Sequence, residues 1–311
     1  MQVIRRFTSG TRRGRVVQGK VGDKHGYPSS LGRIPAPPYA ASKSASPPME
    51  MPALFLRGTE EEEALRNASR LAASVLSLGL QMVEEADHAL TSAEIDAALV
   101  KTIVDNGAYP SPLNYAGFPR GVCISTNEVL CHGIPDDSLL EKGDVVAIDV
   151  SVFVDGVHGD TCGSAVVGGK GGEGEGRGER LVEVANRALE LGIGVAGPGV
   201  PFYKIGEVIQ GYVEDEEGMS VSPHFCGHGI GVHFHTLPVV EHVRNFNAVE
   251  MEVGMAFTIE PIVAEGVADD IVFWDDGWTA VTVDGSWSAQ AEHTVLVVEG
   301  GVDVLTGRSA L

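Results

Sequence analysis

The 311-residue chain has four cysteines, Cys123, Cys131, Cys162 and Cys226, and no C-x-x-C pair. That is too few for a disulfide scaffold at this length, so the thiols are expected reduced. No apolar run approaches the length of a membrane span. The glycine-rich stretch 168–178, GGKGGEGEGRG, lacks the G-x-x-x-x-G-K-[ST] spacing of a phosphate cradle and reads as a flexible surface loop. Basic residues are scarce, with 22 Lys and Arg against 43 Asp and Glu and a net charge of −21. Nine of those bases and only two acids lie in residues 1–50, which are therefore +7 while the remainder is −28. An acidic body argues against nucleic acid as a general partner.

What the chain does have is a hydrophobic content of 43%, enough for a sizeable core in one large domain or two small ones. Its organising stretch is Gly143–Thr161, GDVVAIDVSVFVDGVHGDT. Asp155-Gly156 between alternating apolar residues predicts a two-residue hairpin. That turn pairs Val154 with Val157, Ser151 with Asp160, and Asp149 with Cys162. Asp149, Ser151 and Asp160 then share one face, while Val146, Ile148, Val150, Val152 and Val154 form the other. The two carboxylates become diagonal neighbours, roughly 7–8 Å apart at the backbone. Like charges at that range call for a cation or a shared proton; the alternative is an Asp solvated at a strand end.

Around this hairpin the chain falls into segments. Residues 1–22 carry Arg5, Arg6, Arg12, Arg13, Arg15 and Lys20 with Ser and Thr and no acid, the composition of an organelle transit peptide or of a basic tail. Residues 23–58 are rich in Pro, Ser and Gly and read as a linker or a strip lying on the body; Pro35-Ala-Pro-Pro38 also fits a ligand for an aromatic groove. Thr59 with Glu60-Glu61-Glu62, and Thr91-x-x-Glu94, predict capping boxes. The first helix runs to about Val83 and the second, through Ile95, Leu99 and Ile103, to a stop at Gly107. Short strands follow over 110–133, then the hairpin. Helices over 179–195 and 203–217 come next, and strands resume from Val221. Helix, helix, strands occurs twice, a weak internal repeat.

The second strand region carries further acids and histidines. His228 sits in Cys226-Gly-His-Gly-Ile-Gly231, where glycines let the backbone come close to a ligand. His233 and His235 fall on one face of a predicted strand, VHFH. Glu260 lies in Phe257-Thr-Ile-Glu-Pro261 and Glu292 in Ala289-Gln-Ala-Glu-His-Thr. Carboxylates in apolar strands are costly unless paired or coordinated. Four carboxylates and one imidazole point jointly to a two-metal site, and hard oxygens suit Mn, Fe(II), Co or Zn. Two such metals can hold a bridging hydroxide and polarise a carbonyl.

Five motifs in order, CHGIPDD (131–137), DVSVFVDGVHGDT (149–161), GHGIGVHFH (227–235), FTIEP (257–261) and SAQAEHT (288–294), resemble methionine aminopeptidase type I from about Leu56 to Leu305. The resemblance implies an α/β (α+β) pita-bread fold: two pseudo-symmetric halves, curved antiparallel sheet inside, helices outside. It implies an extension over 1–55 and a catalytic domain over 56–311. Asp149 is implied as ligand of one metal, Asp160 and Glu292 as bridging ligands, and His228 and Glu260 as ligands of the second. Glu260 would also shuttle protons. His132 would lie near the substrate's first peptide nitrogen, and His235 would polarise the scissile carbonyl. Tyr115, Phe118, Cys123, Phe234 and Trp278 match the methionine pocket. His233 receives no role.

The implied activity is removal of an initiator Met ahead of a small second residue, by a chain acting as a monomer in a mitochondrion or chloroplast, with the ribosome as a further partner. A cytoplasmic location follows if the basic start is no transit peptide. Glu260 and Glu292 are too close for the type II insertion, and residues 1–55 are too short for the extra domain of Xaa-Pro peptidases. The chain departs from the pattern at the long 168–178 loop and at Ala116, where many bacterial members carry a His. A Xaa-Pro peptidase and a metal-free binding protein on the same scaffold remain the rival readings.

Overall fold

The computed structural model describes residues 26–45, 51–86, 89–169 and 176–307. The basic start at 1–22 and the centre of the glycine-rich loop lie outside them.

Asp155, with φ 53°, and Gly156, with φ 82°, make the tight turn that the sequence predicts. The hairpin pairs Val145–Val154 with Val157–Val166 through ten rungs, including Asp149↔Cys162 and Ser151↔Asp160. Strand Cys123–Thr126 pairs with its outer edge, Cys123 facing Asp149. The apolar face of the hairpin packs on helices Glu60–Glu84 and Ser92–Asp105, giving one core of Leu76, Ile95, Leu99, Ile148 and Val150. Gly159 lets the hairpin touch the first helix, since a Cβ there would lie 2.5 Å from the backbone of Ala68 and Ser69.

The second half repeats the scheme. Helices Arg177–Val195 and Tyr203–Gln210 cover strands Ala256–Ile259 and His293–Val298, around a core of Leu189, Ile205, Phe257, Ile259 and Val295. The central sheet of this half runs Thr236–Val240, Gly227–Gly229, Ala256–Ile259, His293–Val298, Gly301–Val304. All four strand pairings of this sheet are antiparallel. This is the pita-bread arrangement, with one main core in each half, smaller clusters such as Phe55, Leu65, Ile230 and Leu296 joining the halves, and the site between them.

One local expectation holds in full and several change. Thr91 and Glu94 form a full capping box. At Thr59 only half of one forms, because the Glu62 carboxylate takes the Gly58 N–H and Arg66 instead of the Thr59 N–H. The helix predicted over 203–217 is α-helical to Gln210 and then widens into a π turn over Gly211–Glu216, closed by Glu217 N–H donating to the Tyr212 carbonyl. Arg177 and Gly178 belong to the next helix rather than to the loop, and Gly178 is buried against Val145 and Val166. The predicted VHFH strand is absent: residues 231–235 bend, and pairing resumes only at Thr236.

Candidate metal centre

The two halves are stitched together where the acids lie. Glu292 N–H donates to the Cys162 carbonyl at 2.9 Å, the Thr161 hydroxyl to the Glu292 carbonyl at 2.9 Å, and the Thr294 hydroxyl to the Asp160 carbonyl at 2.7 Å. Asp160 comes from the regular hairpin. Glu260 and Glu292 come from two strand breaks that face each other: Ile259 pairs with His293 and Ile262 with Gln290, leaving Glu260-Pro261 opposite Ala291-Glu292. Proline ends the ladder on one side, since it has no N–H to give. Both acids are freed there from strict alternation.

Asp149, Asp160, His228, Glu260 and Glu292 all line one cavity of about 320 Å³. Single ligand atoms of Asp160, His228 and Glu292 lie within 4.8 Å of one another. His228 Nε2 is 3.7 Å from Asp160 Oδ2 and 3.5 Å from Glu260 Oε1. Its Nδ1 is 3.2 Å from the Gly229 carbonyl, an acceptor, so Nδ1 carries the proton and Nε2 presents its lone pair to the acids. Asp149 Oδ1 is buried with no hydrogen-bond partner. An orphaned carboxylate oxygen beside three clustered ligand atoms fits a cation site, because a buried unpaired anion is costly.

The electrostatics agree. Burial and then the neighbouring Asp160 push the Asp149, Glu260 and Glu292 carboxyls well above their usual range. Asp160 rises to about 6 by burial, opposed by the Ser151 hydroxyl, which donates to its Oδ1 at 2.7 Å. Burial holds His132 and His228 neutral, each down at about 4, and His235 well below its usual value. Such a cluster must share protons or take cations.

The other predicted side chains line the same cavity: His132, His235, Tyr115, Phe118, Cys123, Phe234 and Trp278. His132 has φ 55°, a strained value for a non-glycine residue, and its ring lies edge-on to Phe225 and Trp278. His235 Nδ1 is 2.8 Å from the Tyr115 hydroxyl. His233 is exposed and does not share a face with His235, because the backbone bends between them. Gly227 and Gly229 serve a different purpose from the one predicted. A Cβ there would strike the Thr258 and Leu237 carbonyls at 2.1 and 1.9 Å, so the glycines admit neighbouring strands rather than a ligand. Ala116 is exposed, in left-handed backbone with φ 46°.

Several supporting residues escaped the sequence. The Thr258 hydroxyl accepts from His228 N–H at 3.0 Å and donates to Glu260 Oε1 at 2.8 Å, tying two candidate ligands together. Gln290 Nε2 lies 3.4 Å from Glu260 Oε2. Buried His242 accepts the Glu260 N–H at Nε2, 3.0 Å, and makes a backbone hydrogen bond with Phe225. Thr258 was visible as a polar residue two positions before Glu260. His242 had no signal beyond being a lone histidine in an irregular stretch.

Comparison with known proteins agrees with this geometry. Residues 63–299 match metallopeptidase family M24. The chain is 41% identical over 295 residues, 95% of its length and 80% of the relative's, to methionine aminopeptidase 1D, chloroplastic/mitochondrial, of Arabidopsis thaliana. It is 43% identical over 251 residues, 81% of the chain and 72% of the relative, to methionine aminopeptidase 1D, mitochondrial, of Homo sapiens. The crystal structure of methionine aminopeptidase from Rickettsia prowazekii superposes with a TM-score of 0.76 at 37% identity, over 82% of this chain and all of that one. The chain therefore belongs to metallopeptidase family M24.

Proposed function

We propose that this chain removes the N-terminal Met from nascent or imported polypeptides when the second residue is small. One observation carries this reading: five candidate ligands from both halves meet in a cavity that also has an apolar, sulfur-bearing wall. Tyr115, Phe118, Phe234 and Trp278 with Cys123 suit a thioether by dispersion and S–aromatic contact. The names of the Arabidopsis and human relatives support the same substrate and an organellar location. Residues 56–311 form the catalytic domain and residues 1–55 an extension carrying the transit signal, in a monomer that works near the ribosome.

Asp149, Asp160, His228, Glu260 and Glu292 would hold two divalent cations drawn from Co, Mn, Fe or Zn. When bound, these supply Lewis-acid polarisation of the scissile carbonyl and acidify an attacking water. The chain's own residues do the rest. Glu260, fixed by Thr258 and by its backbone bond to His242, takes a proton and returns it to the leaving amine. His235 donates from Nε2 to the developing oxyanion. His132, held on strained backbone, contacts the substrate's first peptide nitrogen.

The test is turnover of Met-Ala-Ser against Met-Lys-Ser with Mn or Co added, with metal counted on the same sample. Preferential release of Met from the first supports the reading. Equal turnover of both, cleavage restricted to a panel of Xaa-Pro dipeptides, or a chain that holds no metal would overturn it.

A further inference from the structure

The segment before the first long helix lies outside residues 63–299, which match the family, yet it reaches the wall of the site. It is anchored twice. Tyr27 donates its hydroxyl hydrogen to Asp96 Oδ2 and accepts the Gly121 N–H at 2.9 Å. Asp96, fully buried on the second helix, also accepts from Gly121 and Val122 N–H, the residues leading into Cys123. Tyr39 donates to the Ser111 carbonyl at 2.6 Å. Its ring meets Tyr115 edge-on at 4.9 Å and lies nearly parallel to His158 at 6.0 Å. His158 stacks in turn on Phe234 at 5.0 Å, and its Nδ1 is 2.8 Å from the Ser111 hydroxyl.

Tyr39 therefore stands one contact behind Tyr115, whose hydroxyl meets His235 Nδ1. An imidazole that stabilises an oxyanion from Nε2 must carry its proton there, which leaves Nδ1 as acceptor and makes Tyr115 the donor. Burial raises the Tyr115 phenol to about 12, so it keeps that hydrogen. Tyr115 sits on a short turn between Asn114 and Ala116, both with positive φ, and has no strand ladder of its own. Its place depends on what packs against it: Phe234 and His235 on the cavity side, Tyr39 behind.

We propose that Tyr39 is a positioning residue for the peptidase site: the strap over residues 27–43 braces Tyr115 so that its hydroxyl sets the tautomer and orientation of His235. This rests on the role given to His235 above. It follows that any removal of the basic start has to stop before Tyr27 if the site is to stay complete.

The experiment uses the full chain loaded with Mn, comparing Tyr39→Leu, Tyr39→Phe, Tyr115→Phe and the double variant Tyr39→Leu/Tyr115→Phe. Met-Ala-Ser kinetics and metal content are measured on each, and the ring ¹⁵N resonances of His235 on the same chains loaded with diamagnetic Zn. Tyr39→Leu is expected to lower kcat about 10–100-fold, the scale of a misplaced reacting group, with KM and metal content little changed. Tyr39→Phe, which keeps the ring, should recover most of that loss. The double variant should be no slower than the slower single one, because Tyr39 acts through Tyr115. His235 should be the Nε2–H form in the wild type and a tautomer mixture in Tyr39→Leu. Unchanged kcat, losses that multiply in the double variant, or an unchanged His235 signal would overturn the proposal. The ¹⁵N readout decides it even if the wild type fails to release Met, which would instead count against the peptidase reading. If Tyr39→Leu fails to fold, Tyr39→Met, which also removes the bracing ring, takes its place in the cycle with Tyr115→Phe.

Discussion

The two halves deliver their acids by different means. The N-terminal half places Asp149 and Asp160 on a ten-rung hairpin, where alternation alone puts them on one face. The C-terminal half places Glu260 and Glu292 at paired interruptions of its strands, and His228 on a three-residue strand that ends in a bend. A regular ladder fixes side-chain direction cheaply. An interruption has to be fixed by particular hydrogen bonds, here Thr258, Gln290 and His242 around Glu260. The first half is thus a rigid floor, and the second half a set of individually held groups.

The largest expected effect breaks the floor. Asp160→Asn keeps the shape but removes a charge that faces both Ser151 and His228. Activity should fall by more than about 100-fold and bound metal should drop, with the fold retained by circular dichroism; the scale exceeds that of losing an outer partner. Retained activity would tell against a bridging role. Next, His235→Ala should lower kcat by about 10²–10³-fold, the cost of one oxyanion donor, with little change in metal content. Loss of metal instead would move His235 into the ligand set.

The comparison sharpens at Thr258. If the second half depends on individual hydrogen bonds, Thr258→Val, which frees both His228 N–H and Glu260 Oε1, should weaken metal binding about 10–100-fold in a competition titration. Ser151→Ala, on the ladder-fixed side, should cost less. Equal losses would remove the distinction between the halves.

The smallest effect concerns buried acids away from the centre. Among the described residues these are Glu62, Asp96, Glu128 and Asp136, all in the first half. Burial pushes Asp96 to about 6, partly offset by Tyr27 and Arg120. A carboxyl raised in the folded state binds its proton more tightly there than in the unfolded chain. Its contribution to stability is therefore greatest below about pH 4 and is lost as pH rises through about 6. The slope is at most about 1.4 kcal/mol per pH unit for this one proton. Urea unfolding of Asp96→Asn should lack that slope; an unchanged pH profile would mean that Asp96 stays ionised.

What could be read without coordinates follows the same division. Asp155-Gly156 set the hairpin register, and the register set Asp149, Ser151 and Asp160 on one face, so two of the five candidate ligands were a local property of nineteen residues. Motif resemblance supplied His228, Glu260 and Glu292, but not the reason they meet. For the two glutamates that reason is two opposed strand breaks, which depend on pairings between residues 34 apart (Ile259 with His293) and 28 apart (Ile262 with Gln290). The VHFH segment read as a strand because its composition alternates; tertiary contacts bent it, with His158 N–H donating to the Gly231 carbonyl at 2.7 Å. His242 and Tyr39 were illegible because their partners, Glu260 N–H and the Ser111 carbonyl, are backbone groups of distant segments that no side-chain pattern announces.

Counting metal ions on the purified chain and on Asp149→Asn, by equilibrium dialysis against Mn followed by elemental analysis, tests the centre most directly. Two ions per wild-type chain, and at most one in the variant, is the expected result. A wild type that binds none, or a variant that binds as many as the wild type, would contradict a centre built jointly by the two halves.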